Sequence, residues 1–349
     1  MNHSSGHTAA QRHGRARPVS GALTAVAAVL LAACSGSATL PSEIAGGVAT
    51  TEAPSTTAPR ECTPAQNTQE DASRSYPKLD PLPDPTKLPA GSTMAAIRQS
   101  GRLRVGVSAD TLLFGARNAL TGQIEGFDID MLKEVAKAIF GPDGADKIEY
   151  RVIRYDQRLP QLEADDVDIV AHTMTINCKR WLRIAFSTEY FHAGQKVLVK
   201  KGSGFTEVED LVAAAATVCA PEGSTNIDEI NKRTYKGIVV VGKADISDCL
   251  VAMQQGDVDA ITGDDTVLAG FAAQDPSTEV VGRQFTDEPY GLGMNAKAVD
   301  FVQFVNAVLD DVRTSGRWGE IYQTWLIDTG ALQGPVIDPP VPNEQRPTP

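Results

Sequence analysis

From residue 92 onward, short β-branched runs alternate with amphipathic stretches of helical period, and this alternation limits the fold more than any other feature. The segment STMAAIRQSG (92–101) opens on a Ser/Thr cap and closes on Gly, so it reads as a helix. RLRVGV (102–107) follows as a strand. GFDIDMLKEVAKAIFG (126–141) sets Leu132, Val135, Ala136 and Ile139 on one helical face, with acids in its first turn where the helix dipole favours them. KIEYRVI and VDIVAH read as further strands. A second series runs through QKVLVKK (195–201), ATVCA (216–220), STNIDEINKR (224–233), GIVVV (237–241), ADISDCLVAMQQG (244–256), VDAITGD (258–264) and EVVGRQF (279–285). The close, VDFVQFVNAVLDDVRTSGRWGEIYQTWL (299–326), reads as two helices hinged near Gly316. Such alternation predicts an α/β fold with mostly parallel sheets covered on both faces. About 240 residues is generous for one lobe and natural for two.

The region before residue 92 has a different texture. Arg12, Arg15 and Arg17 form a positive stretch, and GALTAVAAVLLAA (21–33) is apolar but too short to span a bilayer. Residues 1–33 therefore read as a signal peptide, and LAAC (31–34) resembles a bacterial lipobox in which Cys34 takes the lipid. An ordinary signal peptide with a chance Cys is the alternative. The Ser/Thr/Ala/Pro/Gly-rich stretch after it cannot bury a core, so 34–91 reads as a tether and N-terminal extension, and 328–349 as a Pro-rich tail. A lipid anchor on the outer face of the cell membrane follows from this reading. Loss of residues 1–33 removes three arginines and no acid, taking the formal charge from −12 to about −15. A chain this acidic, without a Lys/Arg stripe, is a poor nucleic-acid binder, and an anionic ligand would need a local cation.

With Cys34 lipidated, Cys62, Cys178, Cys219 and Cys249 remain, and four cysteines in an exported protein allow three disulfide pairings. Cys219–Cys249 is favoured because TVCAPEG and SDCLVAM fall on neighbouring elements of one lobe; Cys62–Cys178 would then staple the extension beside residues 173–180. A metal site lacks support, since no CxxC spacing occurs. There is also no P-loop, GxSxG, HExxH or GxGxxG, and only His172 and His192 lie beyond the signal segment. Enzyme chemistry has little to stand on.

Six segments carry a resemblance: LRVGVSADTLLFG (103–115), GFDIDM (126–131), DIVAHTMTINCKRWLRIAFSTEYF (168–191), APEGSTN (220–226), QQGDVDAITGDD (254–265) and GRWGEIYQTWL (316–326). In this order and spacing the chain resembles the extracellular solute-binding proteins of family 3, the polar amino-acid receptors of ABC importers. The likeness is most detailed to actinobacterial glutamate/glutamine-binding lipoproteins. The resemblance implies a two-lobe type II periplasmic-binding-protein fold with two crossover hinge strands, no cofactor, and closure of a monomer around a free amino acid. It implies one lobe of 92–195 with 290–327 and another of 196–289. The partner would be an ABC permease and ATPase, or a membrane sensor protein. A dehydratase-type enzyme on the same scaffold is the other alternative; it needs a general acid, and His172 is the one unusual candidate.

The residues agree with what that resemblance implies for the site. A free amino acid presents a carboxylate and an ammonium together, and a dry cleft must satisfy both. Arg180 offers a guanidinium fork for the carboxylate, and Thr175 a hydroxyl and a backbone N–H. Thr173 carries over the position whose carbonyl meets the ammonium. Ser224 and Thr225 lie at a helix start in the other lobe, and Asp264 is the anion for the ammonium. Each has a plainer alternative: a surface arginine for Arg180, an N-cap for Thr225, and a cap for Asp264, although Asp265 suits that cap better. Phe127 is either core or an aromatic wall over the ligand's stem, and Phe114 matches a similar cleft position. His172, Arg117 and Lys179 are candidate readers of the ligand's side chain; a distal cation among them would favour Asp or Glu, and neutral donors would favour Asn or Gln.

Overall fold

The computed structural model describes Cys62 and residues 68–349; the signal segment and Cys34 lie outside the described residues. Two sheets organise the chain. The first has the order Ile148–Val152, Leu103–Val107, Ile169–Ala171, Gly293–Asn295 and Ile184–Phe186. The second has the order Val239–Lys243, Thr217–Pro221, Ala260–Asp264, Phe191–Lys200 and Thr278–Val281. The chain leaves the first sheet after Ile184–Phe186 along the long strand Phe191–Lys200 and returns along Asp287–Tyr290. These two strands pair antiparallel, with Asp287 opposite Gly194 and Pro289 opposite His192. The result is two lobes joined by two crossover strands.

The sheets are mixed rather than mostly parallel. Leu103–Val107 pairs in parallel with both its neighbours, and Thr217–Pro221 does the same. Gly293–Asn295 and Phe191–Lys200 run against their sheets. The cause is the double crossover, because a chain that crosses a gap and comes back must run in opposite senses. What matters for function is that Leu103–Val107, Ile169–Ala171, Thr217–Pro221 and Ala260–Asp264 all end at one gap, the place where open α/β sheets gather ligands.

The first lobe is built on the helix Phe127–Phe140, with Ile129, Leu132, Val135, Ala136 and Ile139 buried toward the sheet, and on Val299–Thr314, which covers the same core. Residues around Gly316 do hinge two helices, Val299–Thr314 and Arg317–Tyr322, with Gly316 at φ 82°. In the second lobe Cys219 and Cys249 are fully buried and bonded, joining the strand Thr217–Pro221 to the helix Ile246–Gln255. The other bond joins Cys62 to Cys178. Among the described residues no helix is long and apolar enough to cross a membrane.

The described part of the N-terminal extension packs on the first lobe together with the C-terminal tail. Ser75 is fully buried; its N–H donates to Asn343 O and its carbonyl accepts from Arg346 N, and Asn306 Nδ2 donates to Ser75 Oγ. Trp181 is the point they share, since its Nε1 donates to Ala72 O at 2.8 Å and the Arg346 guanidinium lies 3.6 Å over its ring.

Gly126 makes the turn into Phe127–Phe140 at φ 140°, and a Cβ there would stand 2.1 Å from Phe114 O. Backbone cannot yield as a flexible side chain can. Gly126→Ala should therefore cost at least about 2–3 kcal/mol in denaturant unfolding, whereas Gly101→Ala, where a Cβ meets nothing within 4 Å, should cost less.

Candidate functional site

The segment after Ile169–Ala171 turns sharply. Thr173 adopts φ 42°, unusual for a residue with a Cβ, and its N–H donates to Asp128 Oδ2 at 2.9 Å. Asp128 also accepts from Tyr190 Oη at 2.5 Å; burial holds its carboxyl up at about 6. Beyond the turn, residues 174–176 lie along the returning crossover strand, with Ile176 N–H donating to Pro289 O and Thr175 bridged to Tyr290. The short helix Cys178–Trp181 then starts on Asn177, whose side chain accepts from Arg180 N. This turn sends the Arg180 side chain back over Thr175, and Nη1 donates to Thr175 O at 2.7 Å.

The second lobe reaches the same place. Gly223, at φ 75°, sits so close to the first lobe that a Cβ would stand 2.8 Å from Asp156 Cα. Its carbonyl accepts from Arg158 Nη2 at 3.0 Å and from Arg180 Nη2 at 3.4 Å. Thr225 Oγ1 lies 3.2 Å from Thr175 Oγ1, and both donate to Glu288 Oε2. Ser247, through its N–H and hydroxyl, holds Asp110 Oδ2 of the first lobe. The two lobes thus meet in contact, with Thr175, Arg180 and Thr225 between them.

Two guanidinium groups are buried here. Arg158 is 1% exposed and Arg180 is 7% exposed. Arg158 donates to Tyr155 O, His172 O and Gly223 O, with its guanidinium 4.6 Å from the Tyr155 ring centre. Every hydrogen bond of both groups ends on a main-chain carbonyl, and neither forms an ion pair with a carboxylate among the described residues. Burial, followed by the charge of Arg180, pulls Arg158 down to about 9; burial also lowers Arg180, against the pull of Glu288 and Asp264.

Asp264 ends its strand 5% exposed, accepting from Asn226 Nδ2 at 2.7 Å and Tyr290 Oη at 2.6 Å. It makes no capping bond to the helix Asp265–Gln274, whereas Asp265 accepts from Thr266 N. Burial first, then the nearby Glu288, raises its carboxyl to about 7. A cation beside it would reverse that shift.

Other expected residues fall elsewhere. Ser224 rather than Thr225 is the N-cap: its hydroxyl accepts from Ile227 N and donates to Pro221 O, and its N–H also goes to Pro221 O. The Ser224 polar groups are thus spent locally, and Thr225 faces Glu288. Phe127 is fully buried among Phe114, Tyr190, Phe191 and Trp318, while Phe114 packs edge-on to Tyr290, whose hydroxyl donates to Asp264. Arg117 is exposed and donates to Gly122 O of its own hairpin, and Lys179 is exposed. His172 is buried with Nε2 on Ile153 O and its ring against Tyr155; burial and Arg158 hold it at about 3, so it is neutral. It cannot be the distal cation. Arg158 is the buried cation beside it, and its sequence signal is faint: one arginine in RYDQRLPQL (154–162) among several that are solvated. Glu288 and Tyr290 are likewise missed, although an acid in a strand as buried as Asp287–Tyr290 is a signal in itself.

Residues 103–328 match the family described as bacterial extracellular solute-binding proteins, family 3. The ABC transporter glutamine-binding protein GlnH of Bacillus subtilis (strain 168) is 36% identical over 234 residues, 67% of this chain and 84% of the relative. The glutamate-binding protein GluB of Corynebacterium glutamicum is 29% identical over 234 residues, covering 65% and 79%. Among solved structures, holo ArgBP from T. maritima superposes with a TM-score of 0.59 at 30% identity, over 66% of this chain and 99% of that one.

An aspartate whose pKa rises on folding favours the fold as the neutral acid. That contribution is whole below the ordinary value near 3.8 and is lost as pH rises through about 7 for Asp264. Ligand-free Asp264→Asn should therefore melt higher than the wild type at about pH 8, and its Tm should fall less as pH rises from about 4. Thermal melts of both proteins across that range check this.

Proposed function

Since this chain belongs to family 3 of the bacterial extracellular solute-binding proteins, and is an amino-acid receptor rather than an enzyme, we propose that its ligand is an acidic L-amino acid, glutamate or aspartate. One observation carries this: two buried guanidinium groups, Arg158 and Arg180, meet at the Gly223 carbonyl, and among the described residues neither is hydrogen-bonded to a carboxylate. Burying an unpaired cation is costly, and two neighbouring ones more so. A ligand with two carboxylates and one ammonium supplies what is missing. Its α-carboxylate goes to Arg180 and Thr175, its ammonium to Asp264 and the Thr173 carbonyl, and its distal carboxylate to Arg158. An amide would leave the second guanidinium without its countercharge.

Binding closes the lobes because the ligand touches both at once, Arg180 and Arg158 on one side and Asp264 on the other. The lobes proposed are 92–195 with 290–327, and 196–289. The protein acts as a monomer held to the outer face of the membrane by lipid on Cys34, and hands its ligand to an ABC importer. The names of the B. subtilis and C. glutamicum relatives support the transport role and the glutamate/glutamine range.

Calorimetric titration with glutamate, aspartate and their amides tests the assignment. The wild type should prefer glutamate or aspartate. Arg180→Ala should lose binding of all four, a cost on the order of 3–5 kcal/mol. Arg158→Met should lose about a hundredfold for the acids and much less for the amides. A wild type that binds the amides as tightly as the acids, or an Arg158→Met protein with unchanged preference, contradicts it.

A further inference from the structure

We propose that Trp181 is a positioning residue for Arg180, held by a clasp that the N-terminal extension and the C-terminal tail close around it. Arg180 sits on the helix Cys178–Trp181, a single turn of four residues. A turn this short has no stability of its own, so its neighbours must fix its rotation. Toward the cleft, Arg180 reaches Thr175 O and Gly223 O. Two other residues of the same turn go to the extension instead. Cys178 is bonded to Cys62, and Trp181 Nε1 donates to Ala72 O at 2.8 Å. The Trp181 ring meets Tyr76 and Phe186 edge-on, with ring centres 5.9 and 5.6 Å away, and carries the Arg346 guanidinium 3.6 Å above it. Arg346 is itself aimed, since its Nε donates to Arg74 O at 2.9 Å and its N–H to Ser75 O at 3.0 Å. Asn343 joins the tail to the extension on both sides of Ala72: its carbonyl accepts from Ser75 N–H and its Nδ2 donates to Glu70 O. Ser75 Oγ fastens the pair to the lobe by donating to Phe186 O at 2.7 Å.

Residues 70–76 and 343–346 both lie outside 103–328, the span matched to the family. The clasp is therefore an addition to the receptor fold, and it bears on the turn that carries Arg180. Its role in binding rests on the reading above, that Arg180 receives the ligand's α-carboxylate. A guanidinium fork holds a carboxylate through two parallel bonds, and tilting its plane weakens both. Without the clasp the turn is free to rotate, and Arg180 rotates with it. Every free amino acid brings the same α-carboxylate, so the loss is the same whatever the ligand's side chain.

Three variants of the whole exported chain separate positioning from plain stability. Trp181→Phe removes the indole N–H and keeps a ring; Arg346→Leu removes the guanidinium and keeps bulk. Lys78→Met is the control, because it breaks the extension's ion pair with Asp310, on a different element of the lobe. Amide hydrogen exchange of the ligand-free protein reads residues 178–182. Calorimetric titration with glutamate, aspartate and their amides reads the grip. Trp181→Phe and Arg346→Leu should speed exchange across 178–182. They should also weaken every ligand that the wild type binds by one common factor, about three- to tenfold, the scale of one neutral hydrogen bond. Lys78→Met should lower the Tm and leave both readouts unchanged, since lost stability alone does not alter the affinity of the folded protein. Wild-type affinities or wild-type exchange in the two clasp variants overturn the positioning role, and Arg346→Leu decides alone if Trp181→Phe does not fold. A Lys78→Met protein that weakens binding as much as they do overturns it as well. If the wild type binds none of the four, the receptor reading falls and the clasp's role in binding falls with it. Faster exchange at 178–182 would then still support the clasp as what fixes the turn, and unchanged exchange would overturn that too.

Discussion

Two guanidinium groups buried side by side, neither hydrogen-bonded to a carboxylate, are the constraint on which this structure turns. Elsewhere this chain pairs its arginines with carboxylates at partly or fully exposed positions, Arg104 with Asp168 and Arg183 with Glu163. Arg158 and Arg180 place their hydrogen bonds on main-chain carbonyls, and Glu288 and Asp264 act on Arg180 only through space. Carbonyls satisfy the donors but leave each guanidinium without an ion pair, an imbalance that the proposed acidic ligand would relieve. The same groups could not be replaced by lysine, because each guanidinium spreads its bonds over two or three fixed directions.

The fold makes that imbalance useful. Four strands end at one gap, and three of them deliver different kinds of group: hydroxyls and a carbonyl after Ile169–Ala171, a tight glycine turn after Thr217–Pro221, and an acid at the close of Ala260–Asp264. Among the described residues two strands connect the halves, so relative motion of the lobes is concentrated in the pair Phe191–Lys200 and Asp287–Tyr290. A ligand that contacts both halves shifts that motion by as much as its affinity differs between open and closed forms. The Arg180 segment is braced from behind by Cys62–Cys178 and by Ala72 and Arg346 around Trp181, so it approaches the cleft as a supported element rather than a free loop.

Much of this was legible in the sequence. The strand and helix runs are local properties, and Phe127–Phe140 or Val299–Thr314 declare themselves by period and first-turn acids. Arg180, Thr175 and Asp264 stood out because motif order places them. Arg158 did not, because nothing local separates an arginine under a cleft from one in solvent; its burial comes from Tyr155, His172 and Gly223, brought together across 65 residues of chain. The mixed strand directions were equally hidden, since they follow from the chain crossing twice rather than from any run of residues. Ser224 and Thr225 show a finer limit: adjacent hydroxyls at a helix start look interchangeable, and only the turn geometry decides which one caps.

The most direct test of the central claim is a crystal structure of the protein grown with L-glutamate. The account predicts the α-carboxylate on Arg180, the distal carboxylate on Arg158 and the ammonium on Asp264. A glutamate bound elsewhere, with both guanidinium groups still facing only the carbonyls of Thr175, His172, Tyr155 and Gly223, would contradict it.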